Sequence, residues 1–363
     1  MNFKRIIFKF TALSLIMGSF SGGIVFASEK ADVLFYEPFN YTRGESISQP
    51  AAAANGWLIQ NENTVPEGQG SKALVTEDPV DSTNSVLDIE ALAKAYDSAT
   101  RYAQIVGPFN ANGKKYIMIS KKTRITQTGN KFIFYVNGSF ADAATGAATS
   151  SNTILIQLTY DVPNNKIGND TGSGYKVISS SGLPVGKWAD VKFIIDCTEQ
   201  TYNFFIDDVK VNDAPLGLYG KRSGQVVTGI HDIEIGSNRW ISSAGHYYID
   251  DLTVSALDEE AIIEMDLDKL TVSETVTSDF ELPVKGYFGS DISWSSSDSN
   301  IISITGGYAD VIASAENAEV ELTATLGSGS KTVTKTFKVT VLGDSVRIND
   351  IGNKLTSYVF SGQ

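Results

Sequence analysis

The sequence is poor in three residue types on which many protein chemistries depend. One cysteine, Cys197, cannot form an internal disulfide, and its apolar surroundings predict a small core residue. The two histidines, His231 and His246, are too few for a multi-histidine metal site, and Ser-His-Asp catalysis would have to use one of them. Basic residues are outnumbered, 29 against 42 acidic ones, for a formal net charge of −13. Nucleic acid and anionic lipid require basic protein surface, so neither is the expected partner.

The N-terminal segment, residues 1–27, has the three-part organisation of a secretory signal peptide. Three basic residues, Lys4, Arg5 and Lys9, precede an apolar run that ends at Ala27 with small residues at the −3 and −1 positions. This run is too short, and too rich in Gly and Ser, to span a membrane well. We therefore predict cleavage, a secreted chain without a membrane span, and a mature protein with 26 basic and 42 acidic residues.

The body of the chain is predicted to be made of short strands. Apolar segments of four to nine residues, rich in Val, Ile, Tyr, Phe and Thr, are bounded by Gly, Asn, Asp or Pro, as in Lys131–Val136, Thr153–Leu158 and Val320–Leu326. Such spacing is typical of an all-β sandwich. Two segments favour short helices, Ile89–Asp97 and Glu259–Leu267, and the second is the best place for a domain boundary.

Four motifs mark the beginning and end of the larger region. In chain order they are Leu34–Asn40, Gly186–Phe193, Tyr202–Val211 and Tyr247–Val254, the last of which reads Tyr-Tyr-Ile-Asp-Asp-Leu-Thr-Val. Their order and spacing resemble the concanavalin A-like, laminin-G-like jelly rolls of secreted bacterial proteins. The resemblance implies an antiparallel jelly-roll sandwich over residues 32–256.

The smaller region carries a second set of motifs. They are Phe280–Pro283, Ile292–Ser297, Val320–Thr325 and Thr336–Val341. Their order resembles the atypical bacterial immunoglobulin-like domain, which implies a smaller β-sandwich over 268–343, a linker at 257–267 and a tail at 344–363. Trp294 shares a strand face with Ile292, which predicts a core anchor. By resemblance, such domains serve as spacers behind laminin-G-like modules in secreted glycan-degrading enzymes.

Catalytic patterns are weak, and we assign no catalytic residue. Jelly-roll glycosidases that resemble laminarinases carry Glu-x-Asp-x-x-Glu on one strand face, whereas Asp232-Ile233-Glu234 has two acids and no third. Polysaccharide lyases of this fold use Tyr, His and Arg on adjacent strands. His246 and Tyr247 with Arg239 form such a set, but a surface loop before the last strand is the simpler interpretation.

A structural cation is predicted from the first and last strands. Glu37 alternates with Phe35 and Phe39, and Asp250 alternates with Leu252 and Val254, so both carboxylates would point toward the core. In the resembling family these strands are neighbours, and two buried anions need neutralisation. Calcium supplies it, and by resemblance many such jelly rolls hold a calcium here. Glu37 and Asp250 are the predicted ligands, with solvated strand-end acids as the alternative.

Glycan binding is predicted at exposed aromatic rings. Trp240 lies in a polar loop next to Asn238 and Arg239, which supply hydrogen-bond donors, and Tyr219 lies in a second loop. These four residues are the predicted ligand-binding set, and packing of their rings against the edge of the sandwich is the alternative.

Together these observations predict an all-β protein, a jelly-roll sandwich followed by a smaller immunoglobulin-like sandwich. We predict a secreted, non-catalytic carbohydrate-binding or cell-surface accessory protein of a bacterial polysaccharide-degrading system. Its expected partner is a polysaccharide or cell-surface glycan. The alternatives are a glycoside hydrolase or polysaccharide lyase, whole or truncated, and a surface adhesin or spacer.

Overall fold

A computed structural model describes residues 31–60, 71–91, 102–170, 174–237, 243–312 and 315–343. The predicted signal peptide and the tail at 344–363 lie outside the described residues. No helix in the described ranges is long and apolar enough to cross a membrane.

The first domain consists of sixteen strands within those ranges, with one short helix, α1 (Pro50–Ala54), and a 3-10 turn at Val162–Asn164. The strands are β1 (Ala31–Glu37), β2 (Trp57–Gln60), β3 (Ser71–Glu77), β4 (Ser85–Ala91), β5 (Tyr102–Asn110), β6 (Tyr116–Ile125), β7 (Lys131–Asp142), β8 (Ala148–Asp161), β9 (Lys166–Asp170), β10 (Tyr175–Ser179), β11 (Trp188–Asp196), β12 (Thr201–Ile206), β13 (Val209–Lys210), β14 (Leu216–Gly217), β15 (Gln225–Ser237) and β16 (Gly245–Leu257).

The strands form two facing sheets. Sheet A has the order β13-β12-β11-β6-β16-β4-β3, with β1 paired to β16 and β14 to β12. Sheet B has the order β10-β9-β8-β7-β15-β5-β2. Alternation along each strand divides side chains between the core and the outer face. On β7, for example, Phe132, Phe134 and Val136 are fully buried in the core, whereas Tyr135 faces outward. This architecture confirms the predicted all-β fold.

Two sequence predictions can be checked directly on these strands. The helix predicted over Ile89–Asp97 is wrong for Ile89–Ala91, which close strand β4, and its remainder lies outside the described residues. Pairing with β16 and β3 decides the conformation there and overrides local helix propensity. Cys197 is buried against the core, and burial raises the pKa of its thiol, so it is an inert packing residue.

The second domain begins with a helix, α2 (Glu259–Lys269), in the segment predicted as a linker. The Asp258 side chain accepts a hydrogen bond from the Ala261 N–H and caps the helix. The following strands are β17 (Thr275–Val276), β18 (Phe280–Glu281), β19 (Asp291–Ser296), β20 (Ile302–Thr305), β21 (Tyr308–Val311), β22 (Ala318–Ser328) and β23 (Lys331–Val341). They form a four-stranded and a three-stranded sheet. Trp294 packs against the apolar clusters of this sandwich, as predicted.

The second domain rests on the outer face of sheet A. Ile262 and Met265 of α2, with Phe288 from the loop before β19, form one apolar cluster with first-domain side chains that include Met118 and Phe205. Burying apolar surface in this way favours a fixed contact between the domains. The outer face of sheet B lies on the opposite side of the sandwich from this contact.

Candidate functional site

The predicted ligand-binding residues are only partly located. Asn238, Arg239 and Trp240 lie outside the described residues. Tyr219 lies after β14 and is half-buried, and its backbone N–H donates a 2.8 Å hydrogen bond to the Leu155 carbonyl of β8. A binding role for these four residues therefore stays a prediction.

Glu37 faces the core, as the alternation of β1 predicts. It is 2% exposed, and its two carboxylate oxygens accept hydrogen bonds from the Phe39 N–H at 2.7 Å, the Tyr41 hydroxyl at 2.5 Å and the Trp57 indole N–H at 2.9 Å. Three donors stabilise a buried carboxylate without a cation. This carboxylate therefore does not fit the role of a calcium ligand.

Asp250 lies on the other face of the sheet, and its predicted inward orientation is wrong. A bulge shifts the register of β16 between Asp250 and Thr253, and Asp251 has a positive φ of 48°. Asp250 therefore stands beside Lys122 on the outer face, whereas Leu252 remains in the core. Its carboxylate accepts a 2.8 Å hydrogen bond from the Asn84 amide, and burial raises its pKa.

Glu37 and Asp250 therefore do not form one cation site. Within the described ranges no group of three or more His, Cys, Asp or Glu residues could hold a metal ion. Calcium was predicted with Glu37 and Asp250 as ligands; of the two, only Asp250 remains available, and calcium binding stays a prediction. If it is correct, exhaustive chelation lowers the midpoint of thermal unfolding by a few degrees, and Glu37→Gln leaves the size of that shift unchanged. An unchanged midpoint in chelator would contradict the calcium.

A row of four polar side chains and one leucine crosses the outer face of sheet B. Strand register places Leu58 of β2, Gln104 of β5, Glu234 of β15, Tyr135 of β7 and Gln157 of β8 side by side. Leu58 is 38% exposed, and the other four side chains are half-buried. We call these five residues the sheet B row. It combines amide and carboxyl groups with one aromatic ring along a line that four strand pairings hold in place.

An exposed tyrosine lies on the same face at the edge of sheet B. Tyr175 of β10 is 45% exposed, and its ring lies directly over Gly168 of β9. A Cβ atom at position 168 would be 2.0 Å from the nearest ring carbon, so only glycine permits this close approach. The Lys131 ammonium lies 5.9 Å from the ring centroid. The edge of the sheet thus presents an aromatic platform.

Glu234 of the sheet B row has a second acid, Asp232, beside it on the same strand face. A bulge at His231 shifts the β15 register, so Asp232 and Glu234 both face outward while Ile233 faces the core. Asp232 is fully buried and accepts a 2.7 Å hydrogen bond from the Asn137 amide. The same amide nitrogen lies 3.2 Å from Glu234 Oε1. His231 Nδ1 lies 2.6 Å from the second Asp232 oxygen.

The neighbouring Asp232 carboxyl group affects the pKa of Glu234. Burial and the neighbouring Asp232 carboxylate raise the pKa of Glu234 to about 7, against the opposing Asn137 hydrogen bond. Glu234 therefore exchanges its proton near neutral pH. Asp232 is fully buried and shares the Asn137 amide with Glu234, whereas retaining glycosidases need two accessible carboxyls roughly 5 Å apart on either side of a glycosidic bond.

Asp232 and Glu234 were not predicted as a site, because they lack the third acid of the Glu-x-Asp-x-x-Glu pattern. The Asp-x-Glu spacing does signal two carboxyls on one strand face. Asn137, which joins them, comes from a strand about a hundred positions earlier, and the sequence holds no local signal for that pairing. The His246, Tyr247 and Arg239 set, which was not preferred, can be followed only at its first two residues, because Arg239 lies outside the described residues. Tyr247 is fully buried in the core, and the described neighbours of the His246 ring are Asp88 and Tyr248.

Several solved structures match this chain at low sequence identity and low TM-score. A sialidase matches with 10% identity and a TM-score of 0.40 over 69% of this chain, which spans only 22% of that protein. The cellulose-induced protein Cip1 matches with 10% identity and a TM-score of 0.41, covering 62% of this chain and 98% of that one. A Bacillus licheniformis β-glucanase matches with 10% identity and a TM-score of 0.35, covering 61% and 96%. These likenesses carry no information about activity.

No curated protein matches the chain significantly in sequence. One family match covers the second domain and agrees with the strand motifs Phe280–Pro283, Ile292–Ser297, Val320–Thr325 and Thr336–Val341. Residues 257–344 match the atrophied bacterial Ig domain, which confirms the resemblance of this region.

Proposed function

We propose that this protein is a secreted, non-catalytic glycan-binding protein that holds a polysaccharide on the outer face of sheet B. The observation that carries the proposal is the sheet B row with the Tyr175 platform at its edge. Sugar hydroxyls need amide and carboxyl partners, and the C–H faces of pyranose rings pack on aromatic rings. The row offers both chemistries in a line across four strand pairings, which suits an extended chain.

The placement of the second domain supports this choice of surface. Its contacts with the first domain lie on sheet A, so a long polymer can pass across sheet B without meeting them. The first domain then holds the glycan, and the Ig domain serves as the spacer that its family resemblance implies. The laminin-G-like identity of the first domain is part of this proposal.

A second candidate function is an enzyme with Glu234 as general acid or base. The pKa of about 7 favours it, because proton transfer is most efficient when the catalytic pKa is close to the working pH. The complete burial of Asp232 counts against glycoside hydrolysis, which needs an accessible carboxyl on either side of the scissile bond. The binding function is therefore preferred.

Substitutions in the row and at the platform test the binding surface. Gln157→Ala and Tyr175→Ala should each weaken binding about tenfold, because a lost sugar contact or stacking ring is worth about 1–1.5 kcal/mol. The measurement is affinity electrophoresis in gels that contain one of three neutral polysaccharides: mixed-linkage β-glucan, xylan or glucomannan. Tyr308→Ala is the matched control, since Tyr308 is 44% exposed in the second domain.

The wild-type protein should be retarded in at least one of the three gels, and Tyr308→Ala should migrate like it. If Gln157→Ala and Tyr175→Ala are retarded as strongly as the wild type, the glycan does not bind on sheet B.

A further inference from the structure

A second cluster of ring and charged side chains lies on the outer face of sheet A, away from the second domain. Strand register places Asp88 of β4, Tyr248 of β16, Arg124 of β6 and Trp188 of β11 side by side. His246 lies two residues before Tyr248 on the same strand face. We call these five residues the Tyr248 patch. The proposed glycan surface on sheet B uses none of them.

His246 is held in one orientation by a buried carboxylate. Its Nδ1 lies 2.9 and 3.1 Å from the two oxygens of Asp88, whose side chain is 7% exposed. The His246 side chain is 36% exposed and stacks on Tyr248, with ring centroids 5.5 Å apart and planes 6° from parallel. Because Nδ1 is taken by Asp88, Nε2 is the nitrogen that remains for a ligand. The hydrogen bond to Asp88 raises the pKa of His246, which favours the charged ring.

Arg124 lies beside the same tyrosine and has no carboxylate partner within the described residues. Its guanidinium carbon is 5.7 Å from the Tyr248 centroid, and its buried Nε has no hydrogen-bond partner there. The neighbouring cations on this face differ: Lys72 pairs with Glu90 at 3.6 Å, and Lys122 pairs with Asp251 at 2.8 Å. A half-buried guanidinium without a carboxylate partner there is suited to a carboxylate, which a guanidinium binds through two parallel hydrogen bonds.

We propose that the Tyr248 patch binds a uronic acid residue of an acidic polysaccharide. The sugar carboxylate pairs with Arg124, the pyranose ring packs against the Tyr248 and Trp188 rings, and a hydroxyl bonds to His246 Nε2. Aromatic rings and a planar donor together select a carboxylated sugar over a bare anion or a neutral sugar. This site is a second surface, on the opposite sheet from the proposed glycan row, with its own ligand class.

The net negative charge of the chain means that only short-range contacts can provide affinity for an acidic polysaccharide at this site. A net charge of −13 repels polyanions at a distance, so long-range attraction does not supply the affinity. Within the patch, His246 pairs with the Asp88 carboxylate, and Arg124 remains as the cation without a partner among the described residues. Affinity must therefore come from direct pairing at Arg124, which makes that residue the decisive test.

Isothermal titration with defined saccharides tests the proposal. The probes are trigalacturonate, the neutral trisaccharide maltotriose and sodium acetate. Wild-type protein should bind trigalacturonate at least tenfold more tightly than maltotriose or acetate, and Arg124→Gln should remove at least tenfold of that affinity. Arg124→Lys keeps the charge but loses the planar donor, so it should also weaken binding. Lys122→Gln, on the same strand face, should stay within twofold of wild type.

Each other outcome overturns the proposal. Wild-type protein that does not bind trigalacturonate rules the site out, and so does binding that survives both Arg124 substitutions. Acetate that binds as tightly as trigalacturonate reduces the patch to an anion site. Tyr175→Ala on sheet B should leave trigalacturonate affinity at this patch unchanged, so failure of the proposed glycan row and failure of this patch are distinguishable.

Discussion

Lys121→Met should stabilise the protein at neutral pH by about 1–3 kcal/mol, because burying an unpaired amine has a desolvation cost that an apolar side chain lacks, and each unit of lowered pKa corresponds to about 1.4 kcal/mol. Lys121 points from β6 into the aromatic core and is 2% exposed. Its Nζ atom lies 2.6 Å from the Tyr247 hydroxyl and 4.9 Å from the Phe134 ring centroid. No ion pair of Lys121 is formed in the described part of the chain, and methionine has nearly the same length and volume.

The pH dependence of this effect follows from the buried amine. Burial lowers the pKa of Lys121 well below its usual value, so between that lowered pKa and the ordinary one the unfolded chain holds a proton that the folded chain does not. The free energy of unfolding therefore rises with pH through the window between the lowered folded pKa and the ordinary lysine pKa of about 10.4. The advantage of Lys121→Met should shrink as pH increases across that window.

Urea unfolding of wild type and variant at pH 7, 8 and 9 measures both the size and the trend. Lys122→Met is the matched control, because the next residue points to the outer face and pairs with Asp251 at 2.8 Å. That control should be neutral or slightly destabilising at every pH. A Lys121→Met protein less stable than wild type, or a difference that does not change with pH, would contradict the account.

Asp266→Ala should destabilise the second domain by about 2–4 kcal/mol, because two buried N–H groups would lose their acceptor and each costs about 1–3 kcal/mol. Asp266 of α2 is 1% exposed, and its carboxylate accepts hydrogen bonds from the Phe288 N–H at 2.6 Å and the Ser290 N–H at 2.9 Å. A Cβ atom at Gly286 would lie 2.2 Å from the same carboxylate. Gly286→Ala should therefore have a similar effect.

The same carboxylate also positions the contact between domains. Phe288, whose N–H it holds, packs on Phe205 of the first domain with ring centroids 5.1 Å apart. Hydrogen exchange at the Phe288 and Ser290 amides, together with urea unfolding, measures the loss. The exposed Asp268 on the same helix supplies the control, and Asp268→Ala should change neither quantity. Equal protection of both amides in Asp266→Ala and wild type would disprove this role.

Much of the fold is readable from the sequence, because the decisive patterns are local. Alternation in segments such as Lys131–Val136 marks strands with one buried face. The motifs of the Ig-like domain occur in the order that is typical of the family. Trp294 and Glu37 face the core as their alternation predicts. The helical pattern at Ile89–Ala91 failed because strand pairing is a long-range effect that no local propensity contains.

The candidate sites were harder to predict, for two physical reasons. Bulges break the alternation rule, as at Asp251, where one extra residue turns Asp250 to the opposite face from Leu252. Sites also depend on registers between strands that are distant in the chain, which bring Asn137 to Asp232 and Asp88 to His246. The burial of Lys121 could not be predicted from the sequence. Three of the four residues at positions 121–124 are charged, so the local pattern does not show which of them points into the core.

The most direct test of the proposed function is a glycan array combined with product analysis on the same protein, without residues 1–27. The account predicts retention of at least one polysaccharide, with no new reducing or unsaturated ends after prolonged incubation. New ends that appear with the wild type and disappear in Glu234→Gln would contradict a non-catalytic role and establish the acid pair as an active site. No retention of any glycan would contradict the binding function itself.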